Sequence, residues 1–245
     1  MGGIARHFCV QSDTVSLKEE VQKEVATIFR AAWTERDGNV VPTDDSLKLS
    51  NDAIKLDATV LYADMADSTS LVAGQTKTFA AEIYKTFLHC AAKIIKVEGG
   101  SITAYDGDRI MAVYIGNSKN TSAVQTALKL HYAVQYIVAP AIKAQYQTQT
   151  YVPHHVVGID TSALLVARTG VRGANDLVWV GRAANYAAKL ATLPHEYPTW
   201  ITEEVYNNMH VSVKVTNGQD MWEPRLWTAM NNKRIYRSNW YIPLT

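Results

Sequence analysis

The chain has 245 residues, 47% hydrophobic and 19% charged, the balance of an ordinary globular protein and not of a disordered or fibrous one. Lys and Arg number 24 against 23 Asp and Glu, a net charge of +1, which excludes a global basic field for nucleic acid. Two cysteines, Cys9 and Cys90, lack neighbours at metal-ligand spacing, and no apolar run suits a signal peptide or a bilayer span, so a soluble cytoplasmic protein is expected.

Residues 1 to about 15 read as loose. From Ser16 to Glu35 a helical pattern follows, with Leu17, Val21, Val25, Ile28, Phe29 and Ala32 on one face. The stretch RDGNVVPTDDS is loop chemistry, broken by Asp-Gly and Pro-Thr-Asp-Asp. Residues 1–55 thus form an N-terminal helical extension to a domain spanning 56–245. Ala58 to Asp64 reads as a strand, and Ala73 to Val97 as a helix with Phe79, Ile83, Phe87 and Ala91 about four apart, stopped by Gly99-Gly100. Ser101–Tyr105 and Arg109–Ile115 read as hairpin arms turned at Asp106-Gly107-Asp108. Residues 119 to 139 make a second helix ended near Pro140. HHVVGIDTSALLVA reads as two short strands or one bent one, followed by a Gly-rich connection from Thr169 to Asn175. Leu177–Val180 is a strand, Arg182–Leu193 a helix, and short strands, turns and one short helix alternate from Thr199. This β-α-β-β-α-β order is the ferredoxin-like unit: an α+β fold with helices on one face of an antiparallel sheet, here with later additions.

Asp64 ends an apolar strand where Gly, Asn or Pro would be ordinary. Met65, Ala66 and Asp67 then turn into a helix start at Ser68-Thr69, and backbone N–H groups from Ala66 to Thr69 suit phosphate oxygens. The first strand is expected beside the one that follows the helix, so Asp64 and Asp108 converge at one end of the sheet and can share one or two hard divalent ions. Strand alternation lets Ala104, Asp106 and Asp108 face the same way. Alone, Tyr105-Asp106-Gly107-Asp108 would be an ordinary turn. His154 and His155 point to opposite faces and cannot easily share an ion. Trp222, Trp227 and Trp240 read as core or interface anchors.

Four segments in order carry a family resemblance. Tyr62-x-Asp64-Met65-x-x-x-Thr69-x-Leu71 resembles the F-x-D-I-x-G-F-T-x-L signature of class III nucleotidyl cyclases, and Gly107-Asp108 its second metal ligand. Val157-Gly158-Ile159-Asp160-Thr161 is similar to its V-G-I-H-T-G strand, and Gly181 to Leu190 to its G-x-x-V-N-x-A-x-R-L helix. The resemblance implies a head-to-tail homodimer with two active sites at the interface. It implies attack of a ribose 3′-oxygen on the α-phosphorus of a nucleoside triphosphate, assisted by two Mn²⁺ or Mg²⁺ ions. Carried over by motif, Asp64, Asp108 and the Met65 carbonyl bind metal, Asn185 fixes the ribose and Lys189 meets charge on the α-phosphate.

The departures bear on the substrate. Ala104 and Val178 stand where adenylyl cyclases of this type carry a Lys and an Asp or Thr that select adenine, and neither side chain can hydrogen-bond a base. The guanine-selecting pair is missing too. Lys189 replaces an arginine, and Asp67 a glycine. Base readers must come from elsewhere: Tyr105, Asp106, Arg109, Trp179 and Arg182 are candidates. The segment Trp33 to Pro42 resembles the openings of bacterial pyrimidine cyclases of the Pycsar anti-phage systems, whose cyclic CMP or cyclic UMP activates a separate effector protein. Uracil has one N–H between two carbonyls, which arginine reads naturally, so UTP is favoured over CTP. A purine cyclase and a silent nucleotide-binding module stand as the alternatives. Lys233 or Arg234, in a late basic turn, is a further phosphate contact or a solvated hairpin tip.

Overall fold

A computed structural model describes residues 15–245, so Cys9 and most of the loose start lie outside the described residues. In chain order the elements are α1 (Leu17–Arg30), β1 (Thr34–Asp37), β2 (Asp52–Met65), α2 (Ser68–Gly74), α3 (Lys77–Val97), β3 (Ser101–Asp106), β4 (Arg109–Ile115), α4 (Lys119–Ala133), α5 (Ala139–Gln145), β5 (His155–Val171), β6 (Ala174–Val180), α6 (Arg182–Leu190), β7 (Thr199–Thr202), α7 (Glu203–Asn208), β8 (Val215–Thr216), β9 (Gln219–Asp220), β10 (Glu223–Trp227) and β11 (Lys233–Ser238). The main sheet runs β10-β11-β7-β5-β2-β4-β3, with β1 added to β2 and β6 to β5.

The central order β5-β2-β4-β3 is the βαββαβ unit. The first strand does not lie beside β3, the one after the helix, but beside β4, the second hairpin arm. A crossover through α3 leaves a gap between β2 and β3, and β4 fills it antiparallel to both. A bulge between Ile102 and Ala104 switches the side-chain parity of β3, so Ile102 packs toward the helices and Ala104 toward the opposite face.

Helices cover both faces. Leu61, Ala63, Ile110, Ala112, Val157 and Ile159 bury against α3 and α4. Val60, Met111, Val113, Leu164 and Val166 pack on the other side against Ala183, Ala184 and Ala187 of α6, which corrects the single helical face. Gly158 makes this close approach possible: a Cβ there would lie 2.1 Å from the Ala187 carbonyl oxygen. The long helix divides in two because Thr76 caps a new start, its Oγ1 accepting from Phe79 N. Pro140 does not end the second helix. A π turn at Val134–Val138 precedes it, placing proline in the first turn of α5, where its missing N–H is tolerated.

The expected boundary at 55/56 falls inside β2, and β1 pairs in parallel with the first residues of that strand, so residues 34–55 are continuous with the sheet. Helix α1 ends at Arg30, not Glu35, and leaves its apolar stripe in solvent, with Phe29 85% exposed. Asn51 Nδ2 ties it down by donating to the carbonyls of Ile28 and Ala31. Trp222 and Trp227 are buried in the core, and Trp240 packs on it.

His155 is fully enclosed beside Phe87 and His131, and its Nε2 has no hydrogen-bond partner. Burial pulls its pKa down to about 3, with the His131 and His154 charges acting in the same direction. Its neutral form is therefore built into the fold. Below about pH 6.5 the unfolded chain takes up a proton that the folded chain refuses, so stability falls as pH drops, by about 1.4 kcal/mol per unit from this group. Urea unfolding at pH 7.5 and pH 5.5 is expected to show the loss, and His155→Leu to flatten it; an equally steep loss in the variant would assign the acid sensitivity elsewhere.

Candidate active site

Alternation along β2 puts Leu61, Ala63 and Met65 toward α3, and Tyr62 and Asp64 on the opposite face. The Asp64 side chain is 15% exposed, and its Oδ2 accepts from Arg109 Nη2 at 2.6 Å and Nε at 3.1 Å. Burial pushes the Asp64 carboxyl upward; Arg109 pulls it back, and the charge on Asp108 pushes it further up. Asp108 follows Gly107, whose φ of +61° makes the tight turn. Its Oδ2 is buried with no hydrogen-bond partner. Because a buried carboxylate oxygen is normally satisfied, this orphan fits a cation donor. Two carboxylates form a hard oxygen set suited to Mg²⁺ or Mn²⁺. Among the described residues no three His, Cys, Asp or Glu side chains cluster for a metal, so main-chain and substrate oxygens would have to complete the shell.

Asp106 pairs with Arg109 across the hairpin and is exposed. Tyr105 is 57% exposed. Tyr62, the first matched position of the sequence motif but given no role there, shares the face of Asp64; burial pushes its phenol upward while Arg109 pulls the other way. Its signal lay in strand parity, two residues before Asp64.

The turn after β2 differs in detail from expectation. Ala66 N donates to the His154 carbonyl at 3.0 Å, so this amide is already satisfied and is not a phosphate donor. Asp67 takes a left-handed conformation, φ +58°, and α2 starts at Ser68. Behind it His195 Nδ1 lies 3.7 Å from Asp67 Oδ2, and the His195 ring stacks on His154 at 4.5 Å.

Asn185 and Lys189 share the outward side of α6 and are exposed, Lys189 Nζ resting 3.7 Å from Met230 Sδ. Trp179 lies elsewhere, in a cleft with Val41, Pro42, Ser101 and Thr103, beside the start of β3 and not its carboxylate end. Val178 is 39% exposed. Arg182 is not a free base reader: its guanidinium is engaged by Asp160, the Thr161 carbonyl and Glu204. Lys233 Nζ is likewise held by Glu204, at 2.7 Å. Sequence reasoning quoted Asp160 within a motif but gave it no role, and passed over Glu204, because nothing local marks a carboxylate beneath a helix start.

No family model matches the chain. A uridylate cyclase from Xanthomonas perforans is 52% identical over 92% of this chain and 98% of its own length, and one from Burkholderia cepacia is 52% identical with the same coverage. A uridylate cyclase from Rhodovulum sp. (strain MB263) is 36% identical over 93% of the chain. Among solved structures, the adenylyl cyclase CyaB from P. aeruginosa aligns with a TM-score of 0.61 at 19% identity, covering 76% of this chain and 95% of that one. The guanylyl cyclase Cya2 aligns with a TM-score of 0.63 at 16% identity, covering 77% and 94%. These neighbours share the α+β architecture of the class III cyclase domain. On the strength of the 52% identity along 92% of its length, the chain belongs to the uridylate cyclase family.

Proposed function

We propose that the chain cyclises UTP to 3′,5′-cyclic UMP and pyrophosphate, in a head-to-tail homodimer whose two active sites lie at the interface. The observation that carries the reading is the carboxylate pair at the ends of neighbouring β2 and β4, with a buried, unpartnered oxygen on Asp108. Asp64, Asp108 and the Met65 carbonyl would hold two divalent ions, Mg²⁺ or Mn²⁺. Bound there, the ions supply Lewis-acid neutralisation of the triphosphate and lower the pKa of the ribose 3′-hydroxyl.

The chain's own residues do the rest. The 3′-oxygen gives its proton to solvent water and attacks the α-phosphorus, and the bond from that phosphorus to the oxygen of the leaving pyrophosphate breaks. Backbone N–H groups of Asp67, Ser68 and Thr69 face the phosphates in this reading. Asn185 and Lys189, outward on α6, serve the nucleotide held by a second copy: Asn185 orients the ribose, and Lys189 meets charge developing on the α-phosphate. Arg109 is the candidate reader of uracil. Two of its five N–H groups bond Asp64, which leaves donors for a carbonyl, and the Ala104 and Val178 side chains offer no competing adenine contact. The product would be a second messenger in anti-phage defence, read by a separate effector protein. No helix among the described residues is long and apolar enough to cross a membrane.

Incubation with each of the four nucleoside triphosphates and Mn²⁺, read by mass spectrometry, is expected to give cyclic UMP with the wild type and none with Asp64→Ala. The dimer reading makes a sharper demand. Asp64→Ala and Asn185→Ala should each be inactive, yet an equal mixture should recover about a quarter of wild-type activity, since half the dimers are mixed and each has one intact site. No recovery after subunit exchange would refute sites shared between copies.

A pH profile tests the Arg109–Asp64 pair. Burial already raises the Asp64 pKa and Arg109 counteracts it, so Arg109→Met should raise it further. Activity that needs ionised Asp64 is then lost at a higher pH on the acid side, and the acid limb of kcat/KM at fixed Mn²⁺ moves upward. A limb that stays put or moves down would separate Asp64 ionisation from Arg109.

A further inference from the structure

The sheet-facing side of α6 carries three methyl groups, those of Ala183, Ala184 and Ala187, and, in its last turn over Gly158, the fully buried Leu190. Leu190 anchors the far end among Val156, Trp200, Trp227 and Ile235, while the alanines fix how closely the helix lies but offer no ridge to set the rotation of its first turn. The grip on that turn is polar. Arg182 donates from Nε to Asp160 Oδ2 at 3.0 Å, and from Nη2 to Asp160 Oδ1 at 3.2 Å and to the Thr161 carbonyl at 2.6 Å. Ala183 N donates to Ser162 Oγ at 2.9 Å. Three consecutive residues of β5 therefore hold one helical turn. Asp160 is completely buried and also accepts from Thr202 Oγ1, while Arg182 Nη1 and Lys233 Nζ share Glu204 Oε1. A charge cluster built on one buried carboxylate, with partners reaching the surface, contributes little net stability over apolar residues of the same volume. What it supplies is geometry.

We propose that Asp160 is a positioning residue for the cyclisation: acting through Arg182, it sets the rotation and height of α6, and so where Asn185 and Lys189 stand against the nucleotide of a second copy. The inference rests on the reading that Asn185 and Lys189 take part in the reaction.

The test is steady-state kinetics on the full chain, at a temperature where circular dichroism shows each variant folded. Asp160→Asn keeps the shape but loses the charge that aligns the guanidinium, Arg182→Lys loses the fork, and Thr202→Val removes one hydrogen bond to Asp160. Displacing a reacting group by about 1 Å can cost about 10²-fold in rate. Asp160→Asn and Arg182→Lys are expected to lose kcat on that scale, with KM for UTP nearly unchanged and the preference for UTP over CTP intact. Thr202→Val should show a smaller loss of the same kind, and it decides the matter if Asp160→Asn fails to fold. A folded Asp160→Asn with wild-type kcat would overturn the proposal. So would a raised KM with relaxed UTP preference in Arg182→Lys, which would make Arg182 a base contact. Wild-type kcat in both Asn185→Ala and Lys189→Ala would instead remove the underlying reading of α6, a result distinguishable from failure of Asp160 alone.

Discussion

The ladder between β2 and β5 is the constraint on which everything else depends. It runs from Ala53 opposite Ala167 to Met65 opposite His155 without a break. A slip of one residue would turn every side chain of β2 to the other face, sending Asp64 among the apolar residues under α3 and Leu61 out to α6. The same register sets Tyr62 beside Gly158, where α6 crosses, and Val60 beside Asp160, where α6 is gripped. One pairing thus positions the carboxylate that ends the strand and the platform for the helix that carries Asn185.

Two buried carboxylate environments lie on that face, and they are built differently. Burial pushes both Asp64 and Asp160 upward, and an arginine answers each. Around Asp160 the answer is complete: Arg182 and Thr202 occupy its oxygens, and Arg182 is further tied to Glu204 and to main chain. Around Asp64 it is partial, because Arg109 bonds one oxygen while neighbouring Asp108 keeps a buried oxygen without a partner. Asp160, with both oxygens taken, is held in one geometry, whereas the unpartnered oxygen of Asp108 retains capacity for a ligand; at the outer end of the Asp160 network Glu204 Oε2 is also buried without a partner.

Much of this was legible in the sequence, and the failures have physical causes. Periodicity marked α3, which buries one continuous stripe, and an unbroken apolar run marked β4, which is buried on both faces. Neither could mark β1, whose residues Thr34-Glu35-Arg36-Asp37 are polar and exposed and join β2 through backbone pairing and through ion pairs of Arg36 with Asp52 and of Glu35 and Asp37 with Lys55. Asp64 stood out because a carboxylate at the tip of an apolar strand is unusual, whereas Asp108, in an ordinary Asp-Gly-Asp turn, was singled out only by its expected convergence with Asp64 and by the family motif. Arg182 was misjudged for the opposite reason: a guanidinium next to a motif looks available until the carboxylate beneath it is seen, and Asp160 lies 22 residues away in sequence. The Ala66 amide was misjudged in the same way, since its acceptor is a main-chain carbonyl that no residue type announces.

That bond from Ala66 to the carbonyl of His154 has a consequence for turnover. It staples the turn after β2 to the start of β5, so the backbone around Asp67 and Ser68 acquires its shape when the chain folds and not when a nucleotide arrives. Fixing one residue's backbone costs on the order of 1–2 kcal/mol. A turn left free would charge that ordering against every binding event. Here it is met once, at folding, and if the turn faces the triphosphate as proposed, affinity for that polyanion need not be spent on shaping it.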